Sequence, residues 1–168
     1  MSNVSTALFT DSNITISRNI IYNLKSTGAA VYGIYMNLGA DSIKKIKIEQ
    51  NWIANLSSIG TTGATSISQV NPIGILIDGS GSVRNIGLTI AYNSIHFGTS
   101  STGTTAANAG SACLQFAPSI TGGVSLVNNV LQNLLPNSQS SAKNFSVLVG
   151  ANKSIFTCLL YTSPSPRD

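Results

Sequence analysis

Four stretches of the sequence follow one pattern. They are ITISRNIIYNL (residues 14–24), IKIEQNWIANL (46–56), LTIAYNSIHF (88–97) and VSLVNNVLQNL (124–134). Each reads aliphatic-x-aliphatic-x-x-Asn-x-aliphatic, with its first two aliphatic residues two positions apart. That spacing is the period of a β-strand and not of a helix. Because the pattern recurs along the chain, it indicates a repeat architecture in which each copy packs on the next.

One asparagine has the same place in all four copies. It comes three residues after the second aliphatic residue, where the alternation breaks, so we expect a corner between two strands there. Asparagine tolerates the left-handed backbone of a sharp bend, and we expect that conformation at the asparagine itself. Its amide can both donate and accept hydrogen bonds. Stacked repeats would therefore place four side chains in a ladder: Asn19, Asn51, Asn93 and Asn129.

A second apolar run follows each motif, at residues 33–36, 74–77, 112–116 and 146–149. A Gly/Ser/Thr-rich segment of variable length separates motif and run, at residues 25–31, 57–72, 98–111 and 135–143. We expect these segments to be loops that leave one corner on the same side of the stack. Repeat proteins often keep a variable binding surface on such a side.

Each repeat therefore contains about three short strands, and no segment has the spacing of an amphipathic helix. The sequence predicts an all-β fold, namely a right-handed parallel β-helix. This is a solenoid of about four coils with three short strands each. One coil buries too little apolar surface to offset the entropy of ordering it, so the coils depend on stacking. We assign residues 1–157 to this β-helix fragment.

The composition suits a packed domain with few charges. Apolar residues make up 42% of the 168 residues and charged residues only 8%, against about 25% in an ordinary soluble domain. The formal charge of +4 includes one dense cluster, Lys44, Lys45 and Lys47. So small a cluster is typical of a solvated strand, whereas nucleic-acid binding needs a broad basic stripe. The sequence contains no run of about 18 apolar residues, so it predicts no membrane-spanning helix.

The two ends differ from the repeats. The start, with Asn3, Ser5 and Thr6, has neither the basic residues nor the apolar stretch of a secretion signal. The end, CLLYTSPSPRD, resembles the translation of a transposase-type sequencing adapter. We therefore interpret residues 158–168 as an unstructured, adapter-derived tail and the chain as a fragment. Cys113 is then the one cysteine of the repeats, which indicates a small buried side chain and no disulfide framework.

The phrases ISRNIIYNL, GIYM, AYNSIHFGTSSTG and VSLVNNVLQN resemble the repeats of large secreted right-handed parallel β-helix proteins of Bacteroidetes-type bacteria. The resemblance covers most of residues 10–150. In that family the repeats lie between an N-terminal secretion signal and a C-terminal sorting domain for type IX secretion. The resemblance implies an extracellular or cell-surface location, further repeats of the same kind as neighbours, and no catalytic residues to transfer.

The few acidic residues argue against an enzyme. Glycoside cleavage normally needs two carboxylates around one bond. The repeats offer Asp11, Asp41, Glu49 and Asp78. Asp41 and Asp78 share no place in the repeat, so we interpret both as turn formers. His96 is expected on the solvent face without the Cys, Asp or Glu neighbours of a metal site. We predict neither catalysis nor a cofactor.

Three functions fit these observations. We favour a structural or adhesin-like segment of a secreted or cell-surface protein over a carbohydrate-binding module. The third is part of a polysaccharide-degrading β-helix enzyme whose active site lies elsewhere. The predicted partners are surface glycans or other cell-surface components and not nucleic acid. Exposed aromatic rings stack on sugars, so Trp52 and Tyr92 are the candidate glycan contacts, although the place of Trp52 directly after Asn51 favours packing at the corner.

Overall fold

The structure is a computed structural model of the chain. It describes residues 13–27, 30–38, 45–58, 71–79, 87–98, 110–120, 123–135, 144–150 and 156–160, the last of these as backbone only. Within these ranges the regular structure consists of strands, and no helix occurs. The predicted all-β class, with parallel strands in stacked sheets, is confirmed.

Each sequence repeat contributes one strand to each of three parallel sheets. Sheet A takes the first strand of each motif: β1 (Ile14–Ser17), β5 (Ile46–Glu49), β9 (Leu88–Ala91) and β12 (Val124–Val127). Sheet B takes the strand after the asparagine: β2 (Ile20–Tyr22), β6 (Trp52–Ala54), β10 (Ser94–Phe97) and β13 (Val130–Asn133). Sheet C takes the second apolar run: β4 (Tyr32–Asn37), β8 (Ile73–Asp78), β11 (Ser111–Phe116) and β14 (Asn144–Val149).

Three further strands complete the described structure. β3 (Lys25–Ser26) and β7 (Ser57–Ser58) form a short parallel pair between sheets B and C in repeats 1 and 2. β15 (Phe156–Leu160) adds to sheet A beside β12, with a register shift between Val124 and Ser125. This strand extends into the segment predicted to be an unstructured tail, of which residues 161–168 lie outside the described residues.

The pairing joins equivalent residues of successive repeats. In sheet A, Ile16 pairs with Ile48, Ile48 with Ile90, and Ile90 with Leu126. Sheets B and C keep register in the same way. Unequal repeat lengths therefore leave the pairing unchanged, since the variable segments begin after sheet B and end before sheet C. Most residues of those segments lie outside the described residues.

The core lies between the three sheets. Aliphatic side chains from all of them form one hydrophobic cluster, in which Ile48, Ile53 and Ile75 are fully buried. Sheet A follows the predicted alternation, with Lys47 exposed between two buried isoleucines. Sheet C differs, because every residue of β11 and the first five of β8 are buried. Parallel strands that are buried on both faces read as continuous apolar runs, as residues 73–77 of β8 do, whereas β11 also buries Ser111 and Gln115.

The backbone conformation at the corner before sheet B differs from the prediction. The left-handed residue is not the motif asparagine but the residue before it: Arg18 (φ 59°), Gln50 (56°), Tyr92 (56°) and Asn128 (48°). All four of these residues are exposed. The bend thus turns the left-handed side chain toward solvent and leaves the following asparagine free to point along the stack, where its amide bridges repeats.

Candidate functional site

The four motif asparagines form a hydrogen-bonded column at the corner between sheets A and B. In repeats 2 to 4, the Oδ1 atom of the asparagine accepts two bonds from the asparagine of the preceding repeat. Asn51 Oδ1 accepts the backbone N–H of Asn19 at 3.0 Å and its Nδ2 at 2.9 Å. The same two bonds, at the same distances, join Asn51 to Asn93 and Asn93 to Asn129. The column therefore runs in one direction through all four repeats.

Each later asparagine also reaches back to the preceding strand of sheet A. Nδ2 of Asn51, Asn93 and Asn129 donates to the carbonyl oxygens of Ile16, Ile48 and Ile90 at 3.0, 2.9 and 2.8 Å. Asn51 and Asn93 are only 1% exposed. Buried amides are tolerated when their donors and acceptors are satisfied, as they are here. Because these groups are engaged within the chain, the column is a structural element and not a ligand site.

A second recurrent asparagine was missed by the sequence reasoning. It ends the motif as Asn23, Asn55 and Asn133, while Phe97 takes its place in repeat 3. Asn23 and Asn55 have left-handed backbones, with φ of 57° and 54°. Nδ2 of Asn133 donates to Ser111 Oγ at 2.9 Å, and so ties sheet B to sheet C. The available signal was the Asn-Leu pair that closes three of the four motif copies.

The two predicted glycan contacts, Trp52 and Tyr92, do not share one face. Tyr22 and Trp52 both lie on the outer face of sheet B, with 54% and 44% of their surface exposed. Their ring centroids are 6.0 Å apart and their planes are inclined by 36°. Tyr92 is exposed at the left-handed corner, in the place that Gln50 has in repeat 2. The structure therefore pairs Trp52 with Tyr22 and not with Tyr92, and leaves the indole exposed.

A second aromatic pair lies on sheet C. The rings of Tyr32 and Tyr35 are 5.3 Å apart, and the Tyr35 hydroxyl donates to Asp78 Oδ2 at 3.3 Å. Burial, followed by the charge of Asp78, raises the pKa of Tyr35, so the phenol remains a donor. Asp78 Oδ1 accepts the N–H of the next residue, Gly79, at 2.8 Å. The contacts of Asp78 thus hold the end of strand β8.

The other chemically active residues are dispersed. Glu49 ends β5 in sheet A, whereas Asp78 ends β8 in sheet C; Asp11 and Asp41 lie outside the described residues. His96 faces outward on sheet B and shares a hydrogen bond through Nδ1 with Gln132. No three His, Cys, Asp or Glu side chains among the described residues are grouped to hold a metal ion.

Cys113 and the lysine cluster add no reactive centre. Cys113 is fully buried, and burial raises the pKa of its thiol to about 12. A thiol that stays protonated is a poor nucleophile. Lys45 occupies a left-handed corner with φ of 61°, and Lys47 points outward from sheet A. Lys44 lies outside the described residues.

Comparisons with family models, curated proteins and solved structures found no match to this chain. In the part of the chain that the structure describes, no helix has the length and apolar character needed to cross a membrane. The candidate site is therefore defined by geometry, and the outer face of sheet B, with its exposed rings, is the surface best suited to an external ligand.

Proposed function

We propose that the chain is a segment of right-handed parallel β-helix whose repeats are successive coils of a solenoid. Its role would be structural, as a stalk or adhesin-like part of a secreted or cell-surface bacterial protein. One observation carries this proposal: equivalent residues pair in register through three sheets, and the asparagine column runs alongside them. An architecture held by nearest-neighbour contacts lengthens when repeats are added, which suits a spacer.

The polar side chains form hydrogen bonds within the chain, which supports a structural role over catalysis. The amides of Asn51 and Asn93 are bonded within the column. A partly buried pair, in which Ser111 Oγ donates to Asn144 Oδ1 at 2.8 Å, joins β11 to β14. Glu49 and Asp78 lie on different sheets, whereas glycoside cleavage requires a close carboxylate pair.

Neighbouring repeats of the same kind would be the principal partners. Ile14 and Ile16 of repeat 1 point to the core yet are only partly buried, whereas Ile46 and Ile48 of repeat 2 are fully buried. Within the described part of the chain, the edge of repeat 1 thus presents the surface that, in repeats 2 to 4, packs against the preceding repeat. A coil with the same motif would fit there in register.

Surface exposure of the native protein tests the proposed role. An antiserum raised against the purified chain should label intact source cells, and brief treatment of the cells with proteinase K should remove the label. A cytoplasmic marker protein should survive the same treatment. Label that appears only after lysis would refute a surface role.

Engineered disulfides test the coil geometry separately. Lys47 and Thr89 are paired neighbours with outward side chains, and adjacent strands are about 4.8 Å apart. In a Cys158→Ser background, Lys47→Cys with Thr89→Cys should oxidise readily, because a disulfide needs Cα atoms about 4.4–6.8 Å apart. Lys47→Cys with Ser125→Cys spans two strand spacings and should stay reduced. Equal oxidation of both pairs would contradict the register.

A further inference from the structure

The outer face of sheet B combines exposed rings with polar side chains. The strand register creates two rows across the sheet. The first row is Ile20, Trp52, Ser94 and Val130, and the second is Tyr22, Ala54, His96 and Gln132. Between the rows, Ile53 and Ile95 are fully buried against the core. Since side chains alternate along a strand, both rows lie on the opposite face of the sheet, where Ala54 is the buried member.

We propose that this face binds a neutral saccharide, with the Trp52 indole as the platform for one sugar ring and Tyr22 beside it. The inference goes beyond the structural role proposed above and requires only the geometry of sheet B. The two rings are in contact at 6.0 Å and more than two fifths of each side chain is exposed. Trp and Tyr offer a ligand an apolar ring together with a polar tip.

The polar side chains of the face are placed to form hydrogen bonds with the hydroxyl groups at the edge of a sugar ring. Ser94 is the neighbour of Trp52 in the first row, about 4.8 Å away at the usual strand spacing. His96 and Gln132 are neighbours in the second row and are joined by a hydrogen bond, which restricts both side chains. A pyranose has C–H groups on its ring faces and hydroxyl groups around its edge. Ligand sites generally combine such an apolar surface with a few placed polar groups.

The charge of the face favours an uncharged ligand. The four strands read IIY, WIA, SIHF and VLQN, and contain no Lys, Arg, Asp or Glu. Acidic sugars, phosphates and charged peptides are usually recognised by charge-assisted hydrogen bonds. The chain carries a formal charge of +4, but these strands contribute none of it.

The arrangement also favours a saccharide over a second copy of the chain. Ile20 and Val130 are exposed on the two edge strands, but Ser94 separates Val130 from the apolar group around Trp52. Stable protein interfaces bury about 800 Å² on each partner around a continuous apolar centre. The group of Ile20, Tyr22 and Trp52 spans only two strands, which matches a small ring better than a protein partner.

Fluorescence offers a direct test, because Trp52 is the only tryptophan in the chain. The full chain would be titrated with cellohexaose, mannohexaose and laminarihexaose while the tryptophan is excited selectively. We expect a saturable change in emission with at least one of them. Tyr22→Ala should weaken that binding about tenfold, equivalent to about 1.4 kcal/mol. Tyr92→Asn removes an equally exposed ring that lies at the corner, and should leave binding unchanged.

Trp52→Ala removes the fluorophore, so its binding would be followed by affinity electrophoresis. Native gels would contain hydroxyethylcellulose, galactomannan or laminarin, each a neutral polysaccharide. We expect the wild-type chain to be retarded in at least one gel, Trp52→Ala to lose that retardation, and Trp52→Phe to keep most of it. Circular dichroism would check that each variant folds. If Trp52→Ala does not fold, Tyr22→Ala and Trp52→Phe decide the question.

Three results would overturn the proposal. The first is a wild-type chain that responds to none of the oligosaccharides and is retarded in none of the gels. The second is retardation that Trp52→Ala leaves unchanged, because the saccharide would then bind elsewhere. The third is sedimentation behaviour that shows a dimer abolished by Trp52→Ala, which would assign the face to a second copy of the chain.

Discussion

Repeats 1 and 3 contain the same motif, yet their equivalent residues lie in different surroundings. Ile90 and Asn93 of repeat 3 are buried, whereas Ile16 of repeat 1 is only partly buried and Asn19 is exposed. The strands of repeat 3 have neighbours on both sides in all three sheets, while β1, β2 and β4 of repeat 1 are the edge strands of the sheets that the structure describes. We therefore expect the contribution of a motif residue to the free energy of unfolding to depend on whether its repeat lies at the edge or in the interior of the sheets.

The asparagine column illustrates the same difference. Asn93 bridges three repeats, because its Oδ1 accepts from Asn51, its Nδ2 donates to the carbonyl oxygen of Ile48, and its backbone N–H donates to Asn129. Asn19 bonds to Asn51 in repeat 2 and to the carbonyl of Ser17 in its own repeat. One residue type at one motif position thus supports two repeat interfaces in the interior and one at the edge.

The largest expected contrast between these repeats is in the core. Ile90→Ala should lower the free energy of unfolding by about 2–5 kcal/mol, the usual cost of removing a fully buried aliphatic side chain. Ile16→Ala should cost less than half as much, because Ile16 is already partly solvated. Urea denaturation of the full chain, followed by circular dichroism, measures both. Equal losses would show that repeat 1 is as well covered as repeat 3, contrary to the burial in the structure.

A smaller contrast is expected in the asparagine column. Asn93→Ala leaves the buried N–H of Asn51 without its acceptor and should cost about 1–3 kcal/mol. Asn19→Ala should cost less than about 1 kcal/mol, because Asn19 is exposed and the bond from its backbone N–H to Asn51 is retained. Hydrogen exchange gives a local measurement: the Asn51 amide should lose protection in Asn93→Ala and keep it in Asn19→Ala. Unchanged protection in both variants would argue that the column does not stabilise the stack.

Much of the fold could be predicted because the decisive signals are local and repeated. Alternation at Ile46 and Ile48, or at Leu88 and Ile90, identifies strands without knowledge of their partners. The recurrence of the motif then aligns those strands. The left-handed corners could not be identified in this way, because Arg18 and Tyr92 have no intrinsic preference for positive φ. The sharp bend between sheets A and B imposes that conformation on whichever residue occupies the place.

The candidate site was predicted in part for the same reason. Trp52 was recognisable as an aromatic residue at the start of a strand. Its partner Tyr22 belongs to the preceding repeat, and only the pairing of Ile20 with Trp52 brings the two rings together. Tyr92 was a weaker choice because it precedes the asparagine and so lies at the corner, whereas residues after the asparagine belong to sheet B. Predicting a contact between two repeats requires the register of their strands as well as the motif.

The smallest expected change in stability comes from substitutions at the left-handed corners, and it should be the same in edge and interior repeats. Arg18 and Tyr92 are left-handed at exposed corners, and that conformation costs most residues about 1–2 kcal/mol, of which asparagine recovers a part. Asn128 already occupies the equivalent place in repeat 4. Arg18→Asn and Tyr92→Asn should therefore each stabilise the local corner by about 0.5–1 kcal/mol.

Hydrogen exchange at the next amide would measure each gain: Asn19 N–H, bonded to Asn51, and Asn93 N–H, bonded to Asn129. Arg18→Asn also removes an exposed bond from Arg18 Nε to Gln50, which contributes little in water. Similar gains in stability in repeats 1 and 3 would show that the backbone strain at the corner is local. The contributions of the core and of the asparagine column, in contrast, depend on the neighbouring repeats. A gain confined to Tyr92→Asn would instead mean that the interior stack itself forces the left-handed bend, and that the edge repeat relaxes it.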